Sequence, residues 1–159
     1  MGIKKYFASK DNTITNAFKS NLLTRGTGSN MGAADILETF VIHGQTSASL
    51  TQATSSGNAT AAEQSRFIIQ FPISNISSDM AAGILPNNSG SLKFHLNLYN
   101  APHGDSTPFD FSLDLKMLSQ SWTEGRGLDM DNYTDLGVSN WISSSVGNSW
   151  SQRGGSYLA

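Results

Sequence analysis

An all-β fold, most simply an antiparallel two-sheet β-sandwich of jelly-roll type, follows from three features of the sequence. Apolar residues recur with period two, turn-forming residues punctuate the chain at short intervals, and helical periodicity is scarce. Of the 159 residues, 64 are Ser, Asn, Thr or Gly, which suits short strands joined by many loops in a single domain, 1–159. Hydrophobic residues make up 38% of the chain, enough for a core, since a folded chain of this size buries on the order of 70% of its unfolded surface.

Taken in order, the first strand expected from composition is Ile36 to Ile42, rich in β-branched and aromatic residues. The segment 46–62, dominated by Ser, Thr and Ala, reads as a long flexible loop leading to a second strand, Arg66 to Phe71. A short turn of helix is expected near Ser77 to Ala82, with Ser78 or Asp79 as N-cap and Gly83 as stop. Leu92, Phe94, Leu96 and Leu98 then alternate with Lys93, His95, Asn97 and Tyr99. The clearest alternation sets Phe109, Phe111, Leu113, Leu115 and Met117 against Asp110, Ser112, Asp114 and Lys116. Burial is worth roughly 1.5–3 kcal/mol for each such side chain, so this stretch is expected to be a central strand of the core. Turn chemistry at Asn87–Gly90, Ala101–Asp105 and Gly125–Gly127 separates the strands, and 119–159 is a Trp- and Gly-rich loop segment. The abundant Ser, Thr and Asn are expected on outer strand faces and loops.

Composition excludes several functions. Ten Lys plus Arg against twelve Asp plus Glu leave no broad basic surface for nucleic acid. No apolar run approaches the roughly 18 residues of a membrane span, and the start, Met1 to Phe7, lacks the apolar core of a signal peptide. The absence of Cys removes disulfides, thiolate zinc sites and thiol nucleophiles, and no cofactor is expected.

Four groups of residues invite a chemical reading. Glu124, between Trp122 and Gly125, has the setting of a buried general acid, but a glycosidase needs a second carboxylate at fixed separation. Hydrogen bonding to loop amides, with Trp122 closing the end of the core, is the plainer role. Asp129, Asp131 and Asp135 offer spaced oxygens for Ca²⁺ without the glycine and terminal glutamate of an EF-hand, so an acidic solvated loop is the stronger expectation. His43, His95 and His103 have no ligand spacing, and no Gly-x-Ser-x-Gly elbow accompanies them. Finally, Trp122, Trp141 and Trp150 crowd the last quarter of the chain, where they serve either as core plugs or as a platform for glycan or interface contacts. A non-enzymatic protein is the expectation.

A succession of segments runs from Asp11-Asn12-Thr13-Ile14 through Asn30-Met31-Gly32 and Ile36-Leu37-Glu38 to Arg66–Phe71, Ile76-Ser77-Ser78 and Ser91–Leu96. Its most specific part is Ser121-Trp122-Thr123-Glu124-Gly125-Arg126-Gly127, followed by Asn140-Trp141, Trp150 and Gly154-Gly155. This succession resembles a DNRLRE-type domain, although the hexapeptide that names the family is absent. Members of the family are β-sandwich modules of secreted polysaccharide-active proteins and of phage particles, and they continue past the Gly-Gly with further strands. The resemblance therefore implies a sandwich lacking its C-terminal strands, completed by a longer polypeptide or by another chain. The combination is most similar to virion structural proteins of tailed bacteriophages, marine and cyanobacterial ones especially. It implies synthesis in host cytoplasm, residence in the tail, neck or capsid surface of a virion, and homo-oligomeric assembly with other virion structural proteins. The alternative it implies is a carbohydrate-binding module that holds a particle or enzyme to a surface glycan.

Overall fold

A computed structural model describes residues 3–42, 63–104, 110–134 and 137–158. Regular structure is mostly strand: β1 (Lys10–Thr15), β2 (Val41–Ile42), β3 (Glu63–Gln70), β4 (Ser143–Ser145) and β5 (Asn148–Ser149), with one α-helix, α1 (Ile73–Ala81). The strands form two small sheets, one ordered β1-β3-β2 and the other a β4-β5 hairpin. β2 runs antiparallel to β3, with Val41 opposite Gln64. β1 is also antiparallel to β3, since Asn16 N donates to Gln64 O at one end and Ser9 N to Gln70 O at the other. In the hairpin, Ser143 faces Ser149 and Ser145 faces Asn148, with a bulge between them.

The chain divides into two compact units, Met1–Ser9 with Gln70–Leu113, and Lys10–Ile69 with Asp114–Ala159. The second unit holds the core. Ile14, Ile68, Trp122, Trp141 and Trp150 form one cluster, with Leu118 packed against it. Around this apolar centre lies a second, polar one. Asn12, Thr13, Thr15, Ser29, Asn30, Ser139, Asn140 and Ser144 are all buried. Much of the backbone here is outside any ladder, and buried N–H and C=O groups must still find partners. Short amide and hydroxyl side chains supply them. Asn30 Oδ1 accepts from Gly32 N at 3.0 Å and Gly127 N at 3.2 Å, while its Nδ2 donates to Ser139 O at 2.8 Å. Asn12 donates to the same carbonyl at 3.0 Å and accepts from Met31 N at 2.9 Å. Asn140 Oδ1 takes the amides of Ile142 and Ser143, each at 2.8 Å. The expectation that the small polar residues sit outside is thus corrected in part: most of the described ones are exposed or half-buried, but ten are buried, because an irregular backbone needs local acceptors and donors.

The first unit is different. Among its described residues no side chain is buried. Its helix places Ile73, Ile76 and Met80 at helical spacing. Pro72 caps the helix and Gly83, at φ 71°, ends it. The expected stop is therefore found, but the helix begins four residues before Ser77, so that Ser78 and Asp79, the expected N-caps, lie within it, and the Pro72 carbonyl accepts from Asn75 N and Ile76 N at its start.

Three strand expectations need correction. Of Ile36 to Ile42, only Val41–Ile42 joins a sheet, and Ile36 is exposed. Residues 92–99 and the described part of 109–117 join no sheet, and Phe94, Leu96, Phe111, Leu113, Leu115 and Met117 are exposed. Alternation records what a segment would bury, not whether its own unit offers the cover, and in the core the three indoles already fill that place. The loop expected at 46–62 lies outside the described residues.

Asn30→Ala strips the buried Gly127 amide and the half-buried Gly32 amide of their acceptor. At about 1–3 kcal/mol for a buried unsatisfied group and less for a half-buried one, it should lower stability by about 1–4 kcal/mol. Exposed Ser121→Ala should change it by less than about 0.5 kcal/mol. Urea unfolding followed by tryptophan fluorescence checks both, since all three tryptophans belong to this core.

Candidate functional site

Trp122, Trp141 and Trp150 are only 6%, 7% and 5% exposed. Each is fixed by polar or cationic contacts as well as by apolar packing. Trp150 Nε1 donates to Asn140 O at 2.7 Å. Lys10 Nζ lies 4.7 Å over the Trp122 ring and donates to Trp122 O, and the Arg66 guanidinium lies 5.0 Å over Trp141 while donating to Gly154 O at 2.9 Å. At this burial the three tryptophans sit within the core, and little of any ring is open to a stacking sugar.

Glu124 is half-buried, and its Oε1 accepts from Asp11 N at 2.7 Å. Burial pushes the Asp11 carboxyl above its ordinary range, and the Glu124 charge adds to the shift. The glycines flanking Arg126 do not make the expected turn. A Cβ on Gly125 would overlap the Asn30 amide, and one on Gly127 would overlap the Asn30 carbonyl. The Trp-x-Glu-Gly-x-Gly segment is thus a place where two backbones meet across a buried amide.

Asp129 Oδ1 accepts from Asn132 N at 2.7 Å and Asp131 N at 2.9 Å, which holds its carboxyl below the usual range. Asp131 Oδ1 accepts from Ser20 N at 2.9 Å. Asp129 and Asp131 therefore turn carboxylate oxygens toward backbone amides, and among the described residues no three His, Asp or Glu gather as a metal would require. Asp135 and His43 lie outside the described residues, while His95 and His103 are exposed.

A cluster that sequence reasoning missed sits in the first unit. Tyr6 Oη donates to Asp79 Oδ2 at 2.5 Å, and Lys4 Nζ lies 3.1 Å from the same oxygen. These residues, with Lys5, Phe7, Pro72, Asn75 and Ser78, line an open cleft of about 600 Å³. Desolvation, followed by the Asp79 hydrogen bond and charge, pushes the Tyr6 phenol up to about 12. Tyr6 and then Lys4 hold the Asp79 carboxyl below its usual range. No pattern in the sequence joins residues 73 positions apart, so only the fold reveals the pair. A second cavity of about 320 Å³ lies among Met31, Ala34, Asp35, Ile36, Glu38 and Leu128.

No family model matches the chain, and no curated protein and no solved structure matches it.

The Tyr6–Asp79 contact is present only where the phenol is protonated and the carboxylate ionised. A phenol raised in the folded state loses its contribution as pH climbs from about 10, the ordinary tyrosine value, through about 12. A depressed carboxyl loses its contribution as pH falls below about 4. Asp79→Asn should move the Tyr6 ionisation midpoint from about 12 toward 10, followed as tyrosinate absorbance. An unmoved midpoint would mean that the pair does not form in solution.

Proposed function

We propose that this chain is a non-enzymatic structural component of a bacteriophage virion, a β-rich module of sandwich type that reaches its full burial through contacts with other structural proteins, copies of itself included. The observation that carries this reading is the contrast between the two units. Both expose large apolar side chains, among them Leu23, Met117 and Val146 in the second unit and Phe7, Ile73, Phe94 and Phe111 in the first, but only the second unit buries a core, and the first has no buried residue among those described. Large apolar side chains exposed in such number mark surfaces that meet another surface. The virion itself is inferred from the DNRLRE-like succession of segments, above all Trp122–Gly127 with Trp141 and Trp150.

Mass spectrometry of intact particles purified from infected-host lysates should find peptides of this chain at a constant ratio to the major particle proteins. Their loss on purification would overturn the reading.

A second reading, glycan binding, is favoured by the cleft of the first unit. It sets exposed Phe7 beside Tyr6, with the amide of Asn75, the hydroxyl of Ser78 and the carboxylate of Asp79 close by. An aromatic face with hydroxyl, amide and carboxylate partners suits a pyranose ring. On a glycan array, binding by this route would be abolished by Tyr6→Ala or Phe7→Ala and unchanged by Ser121→Ala. Binding indifferent to all three would place the site elsewhere.

A further inference from the structure

Two stretches of this chain have the pattern of strands and lack everything that a strand needs. From Leu92 to Tyr99, and from Asp110 to Met117, apolar and polar residues alternate. The backbone runs without a turn or bend through 92–103 and again through 111–117. Among the described residues, no backbone hydrogen bond joins 92–104 or 110–116 to anything. Phe94, Phe111 and Leu115 are 75%, 67% and 77% exposed. Unpaired strands with an uncovered apolar side are templates for pairing with another chain.

We propose that these stretches pair with each other between two copies of the chain, 92–98 of one copy lying antiparallel beside 110–116 of the next, with Lys93 opposite Asp114. The proposal rests on the assembly reading above and names the contact through which it would occur. The sequence itself selects this register. Apolar positions are even-numbered in the first stretch and odd-numbered in the second, so an antiparallel pairing that keeps one apolar face must match even with odd. With Lys93 facing Asp114, Phe94 faces Leu113, Leu96 faces Phe111, Leu92 faces Leu115, and Asn97 faces Asp110. A slip of two residues one way sets Lys93 against Lys116, and a slip the other way sets Lys93 against Ser112 and leaves Asp114 without a cation. Opposed charges favour a cross-strand pair and like charges disfavour it, so the first register is preferred. Pairing of either stretch with its own copy would leave the other uncovered, whereas the mixed pair covers both in one contact.

The absence of cysteine makes the test direct, because only introduced thiols can bridge. In the proposed register His95 faces Ser112, and directly opposed residues on paired strands are close enough for a disulfide. Chains carrying His95→Cys, mixed with chains carrying Ser112→Cys, should form a mixed disulfide dimer under mild oxidation, several-fold in excess of either single-variant dimer. Lys93→Glu in the first chain should abolish that dimer, and Asp114→Lys in the second should restore it. Dimers formed equally well by one variant alone would mean that like stretches pair. A bridge within a single chain carrying both cysteines, with no mixed dimer, would mean a hairpin within one copy. Either result overturns the proposal. Particle composition distinguishes this failure from that of the virion reading: peptides present in particles without the mixed dimer sink only the pairing, and the mixed dimer without peptides in particles sinks only the virion.

Discussion

The architecture of the core unit depends on the buried side chain of Asn30. Its carbonyl and amide tie together the backbone at Gly32, Gly127 and Ser139, three points distant in sequence that no sheet joins. An asparagine can do this because it carries both a two-lone-pair acceptor and a double donor on a short stem, so one side chain replaces several rungs of a ladder. The same chemistry demands glycine across the contact, since any Cβ at 125 or 127 would occupy the space of Asn30 itself. Asn12 repeats the device from β1, donating to the same Ser139 carbonyl and taking the Met31 amide. Where these amides hold the loops, the indoles of Trp122, Trp141 and Trp150 can close over Ile14 and Ile68.

This arrangement explains which parts of the fold were legible in the sequence. β3 was visible as the compact apolar run around Phe67-Ile68-Ile69, and the helix stop was visible at Gly83, because both are local: one needs only β-branched residues, the other a residue that tolerates positive φ. The role of tryptophan as a core plug was legible as one of two readings, and burial decides between them. Asn12, Asn30 and Asn140 were not legible. A buried asparagine and a loop asparagine are the same letter: for Asn12 and Asn30 the difference lies in partners up to 127 residues away, and Asn140, whose Oδ1 takes amides only two and three residues on, differs from a surface loop asparagine in its burial. The paired glycines of Gly125-Arg126-Gly127 carried a usable signal, since small residues spaced by two suit one face of an extended segment pressed against another backbone. Turn propensity masked it.

The alternating stretches failed in the opposite way. Their signal was the strongest in the chain, and yet the described structure leaves them exposed. Period two measures a demand for a neighbouring strand and for a second layer, and a single chain can leave that demand unmet when a neighbouring molecule is to meet it. The core unit has an interior of its own, whereas among the described residues of the other unit no side chain is buried; under the assembly proposed above, a neighbouring molecule would supply the missing cover.

The small polar residues connect these two parts. Inside, uncharged amides and hydroxyls satisfy an irregular backbone without the heavy desolvation cost that buried charges would impose. Outside, they keep the surface wet while leaving little charge: only 14% of residues are charged and the net is −2. Strong net charge would keep copies apart by mutual repulsion, whereas a nearly neutral surface would let a few local charges, such as Lys93 and Asp114 in the pairing proposed above, set the register. A composition that by itself resembles a linker therefore suits both tasks: the same kinds of side chain lock the loops of one molecule and would permit the close approach that the proposed assembly requires.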